Sequence, residues 1–78
     1  MTIVYSSQFK KDYKRVRKQN KDIGKLSAVI KKLAGKAPMD AKYRDHPLTG
    51  RWRGFRDCHL ERDWILIYQM SEETLILS

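Results

Sequence analysis

The hydrophobic period of this 78-residue chain changes once, and that change decides what it can fold into. Before Gly35 the apolar residues recur at helical spacing. Phe9, Tyr13 and Val16 form a narrow stripe, and Ile23, Leu26, Val29, Ile30 and Leu33 form a broader one. After Gly50 the apolar residues come in short runs rich in β-branched and aromatic side chains, "DWILIYQM" from Asp63 and "TLILS" from Thr74. The opening "TIVYS" (Thr2 to Ser6) is another such run. The order strand, helix, helix, strand, strand, strand predicts an α+β fold. An antiparallel helical hairpin packs on one face of a mostly antiparallel sheet, and the other face is left free.

Ser6 or Ser7 is placed to cap the first helix, which ends near Gln19 or Asn20. Asp22 is placed to cap the second. Gly24 weakens its first turn, and Gly35 suits the left-handed residue that commonly closes a helix. Pro38, Pro47 and Gly50 mark a loop of about fifteen residues from Lys36, long enough that such loops are often functional. A strand from Arg51 to Leu60 follows, with a hairpin turn at Glu61 and Arg62. The length suits one domain over residues 1–78, burying roughly 60–65% of its unfolded surface. Its last run, "TLIL", is expected at an open sheet edge, where it invites homodimerisation or strand exchange.

The formal charge is +8, from 17 Lys and Arg against 9 Asp and Glu, with a pI near 9.9. Such a balance calls for an anionic partner: nucleic acid first, an acidic protein second, a membrane surface third. On the first helix Lys10, Lys14, Arg17, Lys18 and, just beyond, Lys21 leave the apolar stripe and could follow a phosphate backbone or remain solvated. No run approaches the roughly 20 apolar residues of a membrane span. The start lacks the order of a signal peptide. The single Cys58 cannot form an intrachain disulfide, so a reducing cytoplasm is the expected setting.

Both histidines and both tryptophans fall within "YRDHPLTGRWRGFRDCHLERDW". On a strand from Arg51 to Leu60, alternation puts Arg53, Phe55, Asp57 and His59 on one face and Trp52, Arg56 and Cys58 on the other. Asp63 and Trp64 open the next strand, and His46 could fold over the same face from the loop. Imidazole, with an unperturbed pKa of roughly 6.5, both accepts and donates protons near neutrality. Cleaving RNA by internal attack needs a base for the 2′-hydroxyl, an acid for the departing 5′-oxygen and cations for the phosphate. Two histidines, an aspartate and several arginines suffice, with no metal or other cofactor. The structural alternatives stand beside this: a turn-forming Asp45, a His59 tied to Asp57 or Asp63, a core Trp64, and a solvated arginine face. Two histidines and one cysteine lack zinc-site spacing. Cys58 has the wrong parity to pair with His59.

The run "KYRDHPLTGRWRGFRDCHLERDWILIYQM", with the opening "YSSQFKKDYKR", resembles the YafQ branch of the RelE/ParE superfamily of bacterial toxins over essentially the whole chain. The resemblance implies a RelE-like toxin of a type II toxin–antitoxin pair. It implies an endoribonuclease that cuts mRNA in the ribosomal A site without a metal, against mRNA and ribosomal RNA. A cognate antitoxin holds such a toxin inactive, and operator DNA is bound only through the antitoxin complex. It implies acid–base roles for His46 and His59, with Asp63 orienting or assisting them and Trp64 supporting the site by packing. Arg53 and Arg56 are candidates for phosphate contact, with Arg53 favoured by parity. The family usually continues past "TLILS" with a segment bearing another histidine and a terminal aromatic. Their absence from these residues implies a form short at its C-terminus, with weakened activity. Two other functions compete: a ParE-like gyrase-binding module, and a non-catalytic antitoxin-binding co-repressor.

Overall fold

The computed structural model describes residues 1–78. Strand β1 (Thr2–Tyr5) leads into helices α1 (Ser7–Lys18) and α2 (Ile23–Ala34). Strands β2 (His46–Pro47), β3 (Arg56–Glu61), β4 (Trp64–Met70) and β5 (Thr74–Leu77) follow. Both predicted caps form. The Ser6 hydroxyl accepts from the Phe9 amide at 3.0 Å, and the Asp22 carboxylate from the Gly24 amide at 2.9 Å. Gly24 is there for that cap: a Cβ on it would meet the accepting Asp22 oxygen at 2.9 Å. Gly35 is not left-handed, at φ −86°. The positive φ falls one residue later, on Lys36 at 55°.

The sheet order is β1-β5-β4-β3-β2, antiparallel except for the parallel pair β1 and β5. This corrects the expectation for the last run. β5 lies inside the sheet, hydrogen-bonded on both sides, so "TLIL" offers no open edge for homodimerisation. The edges are β1 and β2. The strand expected from Arg51 begins only at Arg56. Gly50–Trp52 is a 3-10 turn, and Gly50 and Gly54 carry φ of 67° and 91°. Strand alternation therefore relates Asp57 and His59 but does not reach Arg53 or Phe55.

Alternation along the strands sorts the core. Cys58 and Leu60 on β3, Trp64, Leu66 and Tyr68 on β4, and Leu75 and Leu77 on β5 are buried. They pack with Phe9 and Val16 of α1 and Leu26, Val29 and Leu33 of α2. The opposite face is open: Ile65, directly across from His59, is 47% exposed.

Burial pushes the Cys58 thiol up from its ordinary value of 9.0 to about 12 and raises the Tyr68 phenol in the same direction. Both groups are neutral when folded and ionise earlier when unfolded. Their contribution to stability is complete below about pH 9 and is lost as pH rises towards 12. The urea midpoint should hold up to pH 9 and then fall steadily. Below pH 9, Cys58 should react with iodoacetamide only after denaturant is added. A midpoint flat to pH 12 contradicts this assignment.

Candidate active site

β2 is only two residues long, yet its register builds the site. His46 lies directly opposite Asp57 on β3, and His59 follows two residues along the same face. The two imidazoles stand with ring centroids 6.1 Å apart and planes 27° from parallel. The His46 Nδ1 lies 2.8 Å from the Arg44 carbonyl oxygen and 3.0 Å from the Asp57 Oδ1. A carbonyl oxygen only accepts, so Nδ1 carries the hydrogen and Nε2 carries the lone pair of the neutral ring. Asp57 is 8% exposed, and its Oδ1 receives no hydrogen bond of its own. A buried carboxylate oxygen thus faces the ring that must carry positive charge whenever His46 takes a proton.

A bulge in β3 sets the far side. The register shifts between His59 and Glu61, so that Glu61 pairs with Trp64 rather than following His59. Lys21 (3.6 Å) and Lys25 (3.2 Å) hold its carboxylate. Beside His59 opens a cavity of about 550 Å³ lined by Lys42, Arg44, Leu60, Glu61 and Arg62. Its three cations flank one imidazole, and its size suits a nucleotide rather than a duplex.

Other predicted site residues lie elsewhere. Asp63 is on the β3–β4 turn, its carboxylate 78% exposed and 3.4 Å from the Lys21 ammonium; the carboxylate beside the histidines is Asp57. Trp64 is a core residue, with the Lys21 ammonium 5.9 Å from its ring centroid. Lys21 is therefore engaged by Glu61, Asp63 and Trp64. Arg56 donates from Nε to Asp45 Oδ1 at 2.7 Å, and that bond is the main reason its guanidinium pKa is raised. Arg53 is exposed in the turn before β3. Lys14, Arg17 and Lys18 line a shallow basic surface on α1, and Lys10 borders an apolar groove between the helices.

Sequence reasoning left four residues out of the site. Asp57 was legible by its parity with His59. Lys42, Arg44 and Arg62 carry no periodic signal and become neighbours of His59 only through the fold.

The donor atoms of His46, Asp57 and His59 all lie within 4.8 Å of one another, a set able to converge on a metal ion. The spacing argument against zinc missed this because cross-strand register, not sequence separation, brings the third donor.

The family described as "Bacterial toxin of type II toxin-antitoxin system, YafQ" matches residues 1–78. The "mRNA interferase toxin YafQ" of Escherichia coli K12 is 46% identical over 74 residues, covering 94% of this chain and 80% of that protein. In the crystal structure of the E. coli DinJ–YafQ complex, the matching chain superposes with a TM-score of 0.87 at 45% identity, over 96% of this chain and 84% of that one. A metal-bound toxin from Helicobacter pylori superposes with a TM-score of 0.91 at 43% identity, over 99% of this chain and 88% of that one.

Proposed function

The chain belongs to the YafQ family of bacterial toxins from type II toxin–antitoxin systems, and from that premise we propose that it is an mRNA endoribonuclease acting on the ribosome in the cytoplasm and silenced by a cognate antitoxin. The observation that carries the reading is the pair of imidazoles on one open face with a buried carboxylate beside the first. His46 takes the 2′-hydroxyl proton on Nε2, the nitrogen left free by the Arg44 carbonyl. His59 protonates the departing 5′-oxygen. The bond from the 2′-oxygen to phosphorus forms as the bond to the 5′-oxygen breaks, leaving a 2′,3′-cyclic phosphate. Asp57 orients His46 and offsets its charge.

Lys42, Arg44 and Arg62 supply positive charge for the phosphates. Asp63, turned to Lys21 on the β3–β4 turn, takes no part in the proton transfers, and Trp64 contributes only as a core residue at the start of β4. Lys14, Arg17 and Lys18 follow the ribosomal RNA backbone, with Lys10 at their margin. Cleavage of a short mRNA on programmed ribosomes, with and without EDTA, tests the reading. A 5′ fragment ending in a cyclic phosphate is expected. No cleavage, or fragments lacking that end group, overturns it.

A second reading rests on the three convergent donors. We propose that the resting site takes a divalent ion of the zinc or copper class on His46, Asp57 and His59, as a brake on the nuclease. The buried Asp57 oxygen without a hydrogen-bond donor suits such an ion. The relative from H. pylori was crystallised metal-bound. An ion there would hold both imidazoles and compete with the proton transfers assigned to them. Zinc should bind with a dissociation constant at least about tenfold tighter in the native chain than in Asp57→Asn. The measurement is competition with a chromophoric chelator. Equal affinities remove the site.

A further inference from the structure

We propose that Asp45, Arg56 and Tyr68 form a clamp whose task is to position His46, so that Arg56 and Tyr68 are positioning residues for the nuclease although neither borders the cavity where substrate fits. The inference rests on the acid–base reading of His46 and deepens it.

The segment carrying His46 has little else to hold it. β2 contributes two residues, and Pro47 has no amide hydrogen to give the ladder. Arg44, two residues before the histidine, sits at φ 48° and ψ 43°, a left-handed conformation that a non-glycine residue keeps only when its surroundings enforce it. Yet the Arg44 carbonyl fixes the His46 tautomer, so the conformation of that one residue decides which ring nitrogen can accept a proton.

The enforcing contact is on Asp45. Consecutive residues project to opposite sides, so Asp45 points towards the core while His46 faces the open surface. Both carboxylate oxygens are used. Oδ1 accepts from Arg56 Nε at 2.7 Å, and Oδ2 accepts from the Tyr68 hydroxyl. Arg56 and Tyr68 are directly paired across β3 and β4, so the two donors come from adjacent positions on neighbouring strands. Tyr68 is 2% exposed, its ring packed in the core and its hydroxyl aimed at Asp45. A rigid core residue thus holds the middle of the three-residue segment 44–46, with the strained Arg44 on one side of the clamp and the catalytic imidazole of His46 on the other.

Tyr68→Phe and Asp45→Asn keep the volume of each side chain while removing or weakening the clamp. Each should lower the single-turnover rate on ribosome-bound mRNA by about 10- to 100-fold, with the concentration giving half-maximal rate unchanged. Arg56→Lys should recover part of what Arg56→Gln loses.

A second readout does not depend on activity. Long-range proton–nitrogen NMR of the His46 ring should show the Nδ1–H tautomer alone in the native chain and a mixture of tautomers in Tyr68→Phe. If the variants merely melt earlier, with native rates at temperatures well below melting and an unchanged tautomer, the clamp is structural only and the proposal fails. If the native chain does not cleave mRNA at all, the nuclease reading fails, while the NMR comparison still decides whether the clamp orders His46.

Discussion

His59→Ala is expected to lower ribosome-programmed mRNA cleavage by about 10²- to 10⁴-fold, the usual worth of a positioned general acid or base. The fold should not notice. His59 lies on the open face of β3, across from an exposed Ile65, and takes no part in the buried cluster. The unfolding free energy should therefore stay within about 0.5 kcal/mol of the native value. His46→Ala should cost activity on the same scale, because its Nε2 is the lone pair the site presents. If the two rings act in one concerted proton transfer, the double variant should lose little more than either single one, since groups that act as a unit are strongly non-additive. Losses that multiply would mean the rings serve separate steps. Native activity in His59→Ala would remove that residue from the mechanism.

The second large effect is on stability. Leu33 of α2 is 1% exposed, and it packs in the cluster formed with α1, β3, β4 and β5. Leu33→Ala should cost about 2–5 kcal/mol, the transfer term for the lost side chain plus the cavity it leaves. A domain of this size has only roughly 4–12 kcal/mol to lose. The variant should therefore show a greatly lowered urea midpoint with an unchanged slope, and a large unfolded fraction at 37 °C. Ile30→Ala should cost less, because Ile30 is only partly buried and lines the groove between the helices. An antitoxin that binds only the folded toxin should restore the Leu33→Ala transition in proportion to the logarithm of its concentration. Equal losses for the two variants would show that the core is not where the burial pattern puts it.

Local signals were well written in the sequence, and long-range ones were not. The two helices announced themselves through a 3.6-residue period and through capping by Ser6 and Asp22. Strand β4 did so through a run of β-branched and aromatic residues. Strand β2 left no such trace, because two residues, one of them proline, have no alternation to read. The parallel pairing of β1 with β5 joins residues more than seventy positions apart, and no local pattern reports it. That pairing is why the last strand is covered rather than open.

The active face was half legible. Counting by twos from His59 reaches Asp57, which the fold confirms as a neighbour, but the aspartate favoured on motif grounds was Asp63, which a turn and the bulge before it carry to Lys21. Arg56 looked like a phosphate ligand because nothing in the sequence reveals that its guanidinium is bound by Asp45, eleven residues earlier. The same register makes three ordinary residues, His46, Asp57 and His59, into one cluster.

The most direct test of shared proton transfer by the two imidazoles is the pH dependence of single-turnover mRNA cleavage in the native chain, His46→Ala and His59→Ala. With one ring acting as base and the other as acid, the native profile should be bell-shaped, and each variant should keep only one limb, a different one in each. A full bell surviving in either variant would contradict the account, because some other group would then be moving the proton assigned to that ring.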